Sequence, residues 1–111
     1  MKIRIAALPI ACALALMSVG AHGAINDKKA AEILTKGGCM ACHTVDKKLV
    51  GPSFKEVAKK HKGDKKAPAG IAKKVRQGSS GAYGQIPMPP NPASKISDAD
   101  LKALVDWMLS K

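Results

Sequence analysis

Cys39-Met40-Ala41-Cys42-His43 decides how this chain is read. Two cysteines three positions apart, with a histidine directly after the second, form the C-x-x-C-H pattern of c-type haem attachment. The spacing follows from the chemistry. Two thiols about a turn apart can each add across one vinyl group on the porphyrin edge. The adjoining imidazole is then delivered beneath the iron as an axial ligand. Three other readings of the same residues are weaker. A thiol–disulfide motif wants a strand–helix setting, and none is readable around Cys39. A zinc site wants four ligands, usually in spaced pairs, and downstream only His61 is left to complete one. A plain Cys39–Cys42 disulfide leaves the adjacent His43 without a role.

Upstream of the motif, the chain opens like an export signal. Lys2 and Arg4 form a basic start, and Ile5 to Val19 is an uncharged apolar run broken only by Pro9 and Ser18. Small residues follow up to Ala24. The run is short for a membrane span, which needs about twenty residues. The expectation is a signal peptide over residues 1–24, cut after Ala21, Gly23 or Ala24, with Cys12 leaving as part of it. The remaining domain, residues 25–111, would keep 87 of the 111 residues and only Cys39 and Cys42 as cysteines.

A single domain of that size is marginal on its own hydrophobic core and usually needs a staple. Aromatic residues make up 3% of the chain, namely Phe54, Tyr83 and Trp107. A covalently held porphyrin would supply the large flat apolar surface they do not.

The charge is strongly positive. Nineteen lysines and arginines face eight acids, for a formal +11. Without Lys2 and Arg4, 17 basic residues remain, for +9. In an exported protein this points to acidic protein partners or anionic membrane, acting mainly on encounter rate. Export and the lack of interleaved aromatics argue against nucleic acid. Most single lysines need no role beyond solvating a helix.

Downstream, hydrophobic spacing predicts four helices and no strands. The first runs from about Asp27 to Lys36, capped by Asn26 and stopped by Gly37-Gly38, with Ala30, Ile33 and Leu34 inward. The second covers about Ser53 to His61 and turns Phe54, Val57 and Ala58 to one side. The third spans about Pro68 to Gln77, burying Ile71, Ala72 and Val75 and ending at Gly78. The last follows Ser97, with Asp100 three on as in a capping box, and buries Leu101, Leu104, Val105 and Met108. Between the third and last lies an irregular stretch, 78–95, of the length that is usually functional or disordered. Its expected function is to cover the second face of the haem.

His43 leaves one axial position to fill. Met40 is locked in the attachment turn, and Met108 falls on a buried helix face. Met1, Met17 and His22 precede the domain, and His61 reads as an exposed helix end. Met88 remains, in Ile86-Pro87-Met88-Pro89-Pro90-Asn91-Pro92. Its prolines hold the segment extended, with little freedom left to lose. A stiff loop suits a weak thioether ligand. A polyproline recognition motif or a plain loop are the other readings of this stretch.

Gly38-Cys39-Met40-Ala41-Cys42-His43, Val50-Gly51-Pro52, Gly84 to Asn91 and Asp106-Trp107-Met108-Leu109 together resemble the short bacterial class I cytochromes c of the c-551/c-552 type. The resemblance covers nearly the whole of residues 25–111. It implies an all-α fold of about four helices around one covalently bound haem c, with the first and last helices crossing. It further implies Cys39 and Cys42 as thioether links and His43 and Met88 as axial iron ligands. Pro52 would offer its carbonyl to the His43 ring, Asn91 would bond near the Met88 sulfur, and Trp107 would pack beside the haem or in the core. Tyr83 stands where the family often has a tryptophan donating to a propionate. Pro92-Ala93-Ser94-Lys95 is slightly longer than the family's usual exit from this loop.

The expected function is therefore a monomeric, non-enzymatic, periplasmic electron carrier. Its implied partners are acidic redox proteins, with donors of the quinol–cytochrome c reductase kind and acceptors of the terminal-oxidase or nitrite-reductase kind. Lys47, Lys48, Lys55 and Lys59, near the attachment turn in sequence, are the expected steering charges. An open iron site for small gases or peroxide, and a haem-free zinc or thiol protein, are the competing classes.

Overall fold

The computed structural model describes residues 24–111. The expected export signal and its cleavage region lie, but for Ala24, outside them. Each helix begins on a local polar signal. Helix α1 (Asp27–Lys36) opens at Asn26, whose side-chain oxygen accepts the Lys29 N–H at 2.8 Å. Asp27 in its first turn and Lys36 in its last complement the helix dipole. Helix α2 (Phe54–Lys60) has a full capping box. The Ser53 hydroxyl accepts the Glu56 N–H at 3.1 Å, and the Glu56 carboxylate accepts the Ser53 N–H at 2.7 Å. The Ser53 backbone N–H first, and the Ser53 side chain second, hold the Glu56 carboxyl below its usual range.

Helix α3 (Ala67–Gln77) has no side-chain cap; Pro68 sits in its first turn, where a missing N–H is no loss. Helix α4 (Asp98–Leu109) starts at Ser97, whose hydroxyl accepts the Asp100 N–H at 3.1 Å. The four expected helices are thus present, with bounds shifted by a residue or so. The fold is all-α. Among the described residues, strand-like pairing is confined to one isolated bridge, Ser79 to Met88.

Helix α4 is the hub, packing against α1, α2 and α3. Its buried stripe is wider than the periodicity implied, because Trp107 joins Leu101, Leu104, Val105 and Met108. Ala30, Ile33 and Leu34 from α1, Phe54 and Val57 from α2, and Ala67 and Ile71 from α3 complete the core. Ile96, in the turn before α4, is only 1% exposed. Fully burying side chains of this size contributes roughly 1.5–3 kcal/mol each.

Trp107 ties the two ends of the domain together. Its ring meets Phe54 edge-on at 5.8 Å and 73°. Its indole N–H donates to the Asp27 carboxylate at 2.8 Å. The Lys111 ammonium lies 4.3 Å over the indole and 2.9 Å from the same carboxylate. The hydrogen bond from Lys111, then that from Trp107, holds the Asp27 carboxyl below its usual range.

Candidate haem site

One cleft gathers most of the residues singled out from the sequence, and backbone chemistry explains how. Helix α1 ends where the Gly37 N–H reaches the Ile33 carbonyl at 2.9 Å, and Gly38 then turns through φ +69°. Gly37 is required sterically. A Cβ there would stand 2.7 Å from Ile96 Cδ1 and 3.0 Å from the Cys39 sulfur. The chain passes straight into a single 3₁₀ turn, Cys39–Ala41, closed by the Cys42 and His43 N–H groups on the Cys39 carbonyl at 3.2 and 3.0 Å. Both cysteines face the cleft and are not joined to each other. Burial pushes the Cys39 thiol up, away from the lowered range of activated thiolates.

The His43 imidazole is held on three sides. Its Nδ1 lies 2.7 Å from the Pro52 carbonyl oxygen. A carbonyl only accepts, so Nδ1 carries the proton and Nε2 keeps its lone pair. Phe54 stacks on the ring at 5.7 Å and 20°. Gly51 backs it so closely that a Cβ would lie 2.9 Å from Nδ1 and 3.0 Å from Nε2. The Gly51 N–H to Cys42 carbonyl bond, 2.8 Å, and the Phe54 N–H to Thr44 carbonyl bond, 2.9 Å, bring this loop back along the motif.

The loop bearing Met88 supplies another part of the wall. Ser79 and Met88 exchange both backbone bonds, at 3.1 and 2.7 Å. Three residues on, the Asn91 N–H donates to the Val75 carbonyl at 2.8 Å. The Arg76 guanidinium bonds the Asn91 carbonyl at 3.1 Å and the Asp98 carboxylate at 2.7 Å. Prolines remove donors on either side, so these few bonds carry the positioning. The Asn91 backbone joins the loop to the end of α3, and the residue itself lines the cleft.

Tyr83 also lines the cleft. Its hydroxyl is buried and has no hydrogen-bond partner. Burial first, and Glu56 second, push the phenol up, so it stays protonated and able to donate. Lys60 lies 4.3 Å over its ring and donates to the Ala82 carbonyl at 3.3 Å.

Trp107 is not on the cleft wall. The α4 residues that reach it are Leu104 and Met108, four apart on one stripe, and Trp107 occupies the neighbouring stripe against Phe54 and Asp27. His61, expected as an exposed helix end, does sit at a helix end but is largely covered. It caps the end of α2, its side chain is 20% exposed, and it forms part of the cleft wall. The Phe54–Val57–His61 spacing, i, i+3, i+7, was the available signal. Lys74, unremarked in the sequence, lines the cleft from α3, whereas Lys47, Lys48, Lys55 and Lys59 do not.

The residues present fit a haem. They combine two thiols beside an imidazole lone pair, a thioether on a pinned loop, and an apolar lining of Leu34, Val57, Ile71, Leu104 and Met108. The orphaned Tyr83 hydroxyl matches a group that is apolar in its plane and carries a polar edge.

Known proteins agree. A family model described as cytochrome c matches residues 28–111. Cytochrome c2 of Rubrivivax gelatinosus is 53% identical over 79 residues, covering 71% of this chain and 93% of that protein. Cytochrome c-551 of Azotobacter vinelandii is 48% identical over 79 residues, with the same shares covered. The crystal structure of Nitrosomonas europaea cytochrome c552 superposes with a TM-score of 0.66 at 49% identity, covering 72% of this chain and 96% of that one. A class 1 cytochrome from Sideroxydans lithotrophicus gives the same TM-score at 31% identity, with 78% and 97% covered. The all-α hub around α4, the C-x-x-C-H turn and these likenesses lead to one assignment: the chain belongs to the cytochrome c family, as a small class I monohaem member that carries one covalently bound haem c and transfers electrons.

Proposed function

We propose that this chain is a periplasmic carrier of single electrons whose haem iron is held axially by His43 and Met88. Bound haem supplies a ferrous/ferric couple. Everything else is the work of the chain. Cys39 and Cys42 hold the group through thioethers, which suits thiols left unpaired at the cleft edge. The Pro52 carbonyl fixes which His43 nitrogen is free and in what orientation, as outer partners of metal-bound histidines do. The observation that carries the reading is the double bond exchange between Ser79 and Met88, which presents a thioether on a rigid backbone.

Two axial side chains from the protein leave no iron position for substrate, so the protein is a carrier and not an enzyme. Met/His ligation favours the reduced iron and raises the potential relative to His/His ligation. The basic start and apolar run of residues 1–24 support export of residues 25–111. The net positive charge supports transient complexes, as a monomer, with acidic reductases and oxidases or nitrite reductases. Among the described residues no helix is long and apolar enough to cross a membrane.

Voltammetry of the exported, haem-loaded protein tests this. The reading expects one reversible one-electron wave that oxygen and peroxide leave unchanged. A catalytic current with either would replace it with the open-site enzyme reading.

A further inference from the structure

A second concavity, of about 670 Å³, lies between the end of α2 with its following turn and the end of α4. We propose that this groove docks a carboxylate-rich segment of a partner protein. The proposal rests on the carrier reading only in making that partner a redox protein.

The groove has an apolar lining, Ala58 and Leu109, and a cationic rim. Lys55 and Lys111 are already engaged, by Asp46 and Asp27. Lys59, Lys62 and Lys65 form no ion pair among the described residues. Lys59 is accounted for by the end of α2, where a cation offsets the helix dipole. Lys62 and Lys65 lie beyond that end and have no such role. The one acid at the groove, Asp64, accepts the Lys66 N–H at 2.9 Å and lies 4.0 Å from the His61 ring, so a single carboxylate stands among these lysines.

Three ammonium groups outside any ion pair of the described residues outnumber that one carboxylate, and their mutual repulsion is relieved when further carboxylates enter the hollow. An apolar lining within a charged rim matches a peptide better than a bare inorganic anion. Lysines, as single point charges, give fast and salt-sensitive contacts, not the geometric lock of arginine. His61 lines both this groove and the haem cleft. An occupant thus sits one side chain away from the cleft, as electron exchange requires.

The test is a titration of ferrous haem-loaded protein with hexaglutamate at low salt, followed by amide chemical shifts. The expected result is saturable shifts centred on residues 58–65 and 109–111, abolished by salt. The triple variant Lys59→Glu/Lys62→Glu/Lys65→Glu should bind on the order of tenfold more weakly, since charge-pair loss acts chiefly here. The milder Lys→Gln triple should show the same trend, covering the case in which charge reversal perturbs folding. A control, Lys28→Glu/Lys36→Glu/Lys73→Glu, changes net charge equally on other faces and should bind like the parent. Equal weakening in the control would overturn the proposal in favour of a diffuse field. Shifts centred elsewhere, or none, would overturn it too. Equal shifts with inorganic phosphate would assign a small-anion site instead, and groove shifts seen only with anionic phosphatidylglycerol vesicles a membrane surface. A redox wave that persists through any of these outcomes keeps the carrier reading intact.

Discussion

Met88 is pinned to Ser79 by both of its backbone polar groups, N–H to carbonyl at 2.7 Å and carbonyl to N–H at 3.1 Å. Gly78, immediately before Ser79, makes the pairing possible. It takes φ +78° and ψ 168°, a region open essentially to glycine, and a Cβ there would stand 2.7 Å from the Met88 carbonyl oxygen. Gly78→Ala should therefore cost about 1–3 kcal/mol and weaken the sulfur-to-iron band of the oxidised protein. Urea denaturation and far-red absorption check the two together. An unchanged band in a destabilised protein would mean that the bridge supports the fold but not the ligand.

Pro52 and Gly51 serve His43 in different ways, and substitution separates them. The bond to His43 uses the Pro52 carbonyl, which any residue possesses. Pro52 is also buried. Pro52→Ala should therefore lose about 0.4–1 kcal/mol from a freer unfolded chain and about 1–2 kcal/mol of buried ring carbons, yet leave the midpoint potential near the parent value. Gly51→Ala pushes a methyl into the imidazole. It should cost about 1–3 kcal/mol by overpacking and shift the midpoint potential. Equal shifts of potential from both would deny the close backing by Gly51.

Tyr83→Phe gives a change of sign. A buried hydroxyl without a partner is a liability, and its removal would be neutral or stabilising. If the hydroxyl donates to a propionate in the loaded protein, its removal should instead destabilise by about 0.5–1.5 kcal/mol. The account predicts destabilisation in the haem-loaded protein, read from urea midpoints of the two forms.

Acid stability should depend on Asp27 and Glu56. Both carboxyls are held below their usual values in the folded state, Asp27 by Lys111 and Trp107 and Glu56 by Ser53. A depressed folded value contributes stability above the unfolded pKa, about 4 for these groups, and that contribution is lost as pH falls through the folded value. The melting temperature should thus decline below about pH 4. Asp27→Asn should flatten that decline and lower the plateau at neutral pH. A parallel curve with the same acid slope would remove Asp27 from the account.

Periodicity made α1 and α4 legible, because Ala30, Ile33 and Leu34, and Leu101, Leu104, Val105 and Met108, recur at helical spacing. The same pattern could not tell cleft from core. Leu104 and Met108 face the haem site while Trp107, one stripe over, faces protein, since both surroundings are apolar. The C-x-x-C-H turn was legible because its chemistry is local. The Ser79–Met88 bridge was not, for it pairs backbone groups nine apart with no alternation of side chains to mark it. Ile96 was hidden for a related reason. A single buried residue in a turn has no period, and its partner is the missing side chain of Gly37.

The most direct test is the visible absorption spectrum of the exported protein, oxidised and then reduced with dithionite, beside that of Met88→Ala. The account predicts a sharp c-type reduced spectrum for the parent, with a weak far-red sulfur-to-iron band in the oxidised form that Met88→Ala abolishes. A haem spectrum lacking that band in the parent, or one that keeps it in Met88→Ala, would contradict the His43/Met88 ligation on which the carrier reading stands.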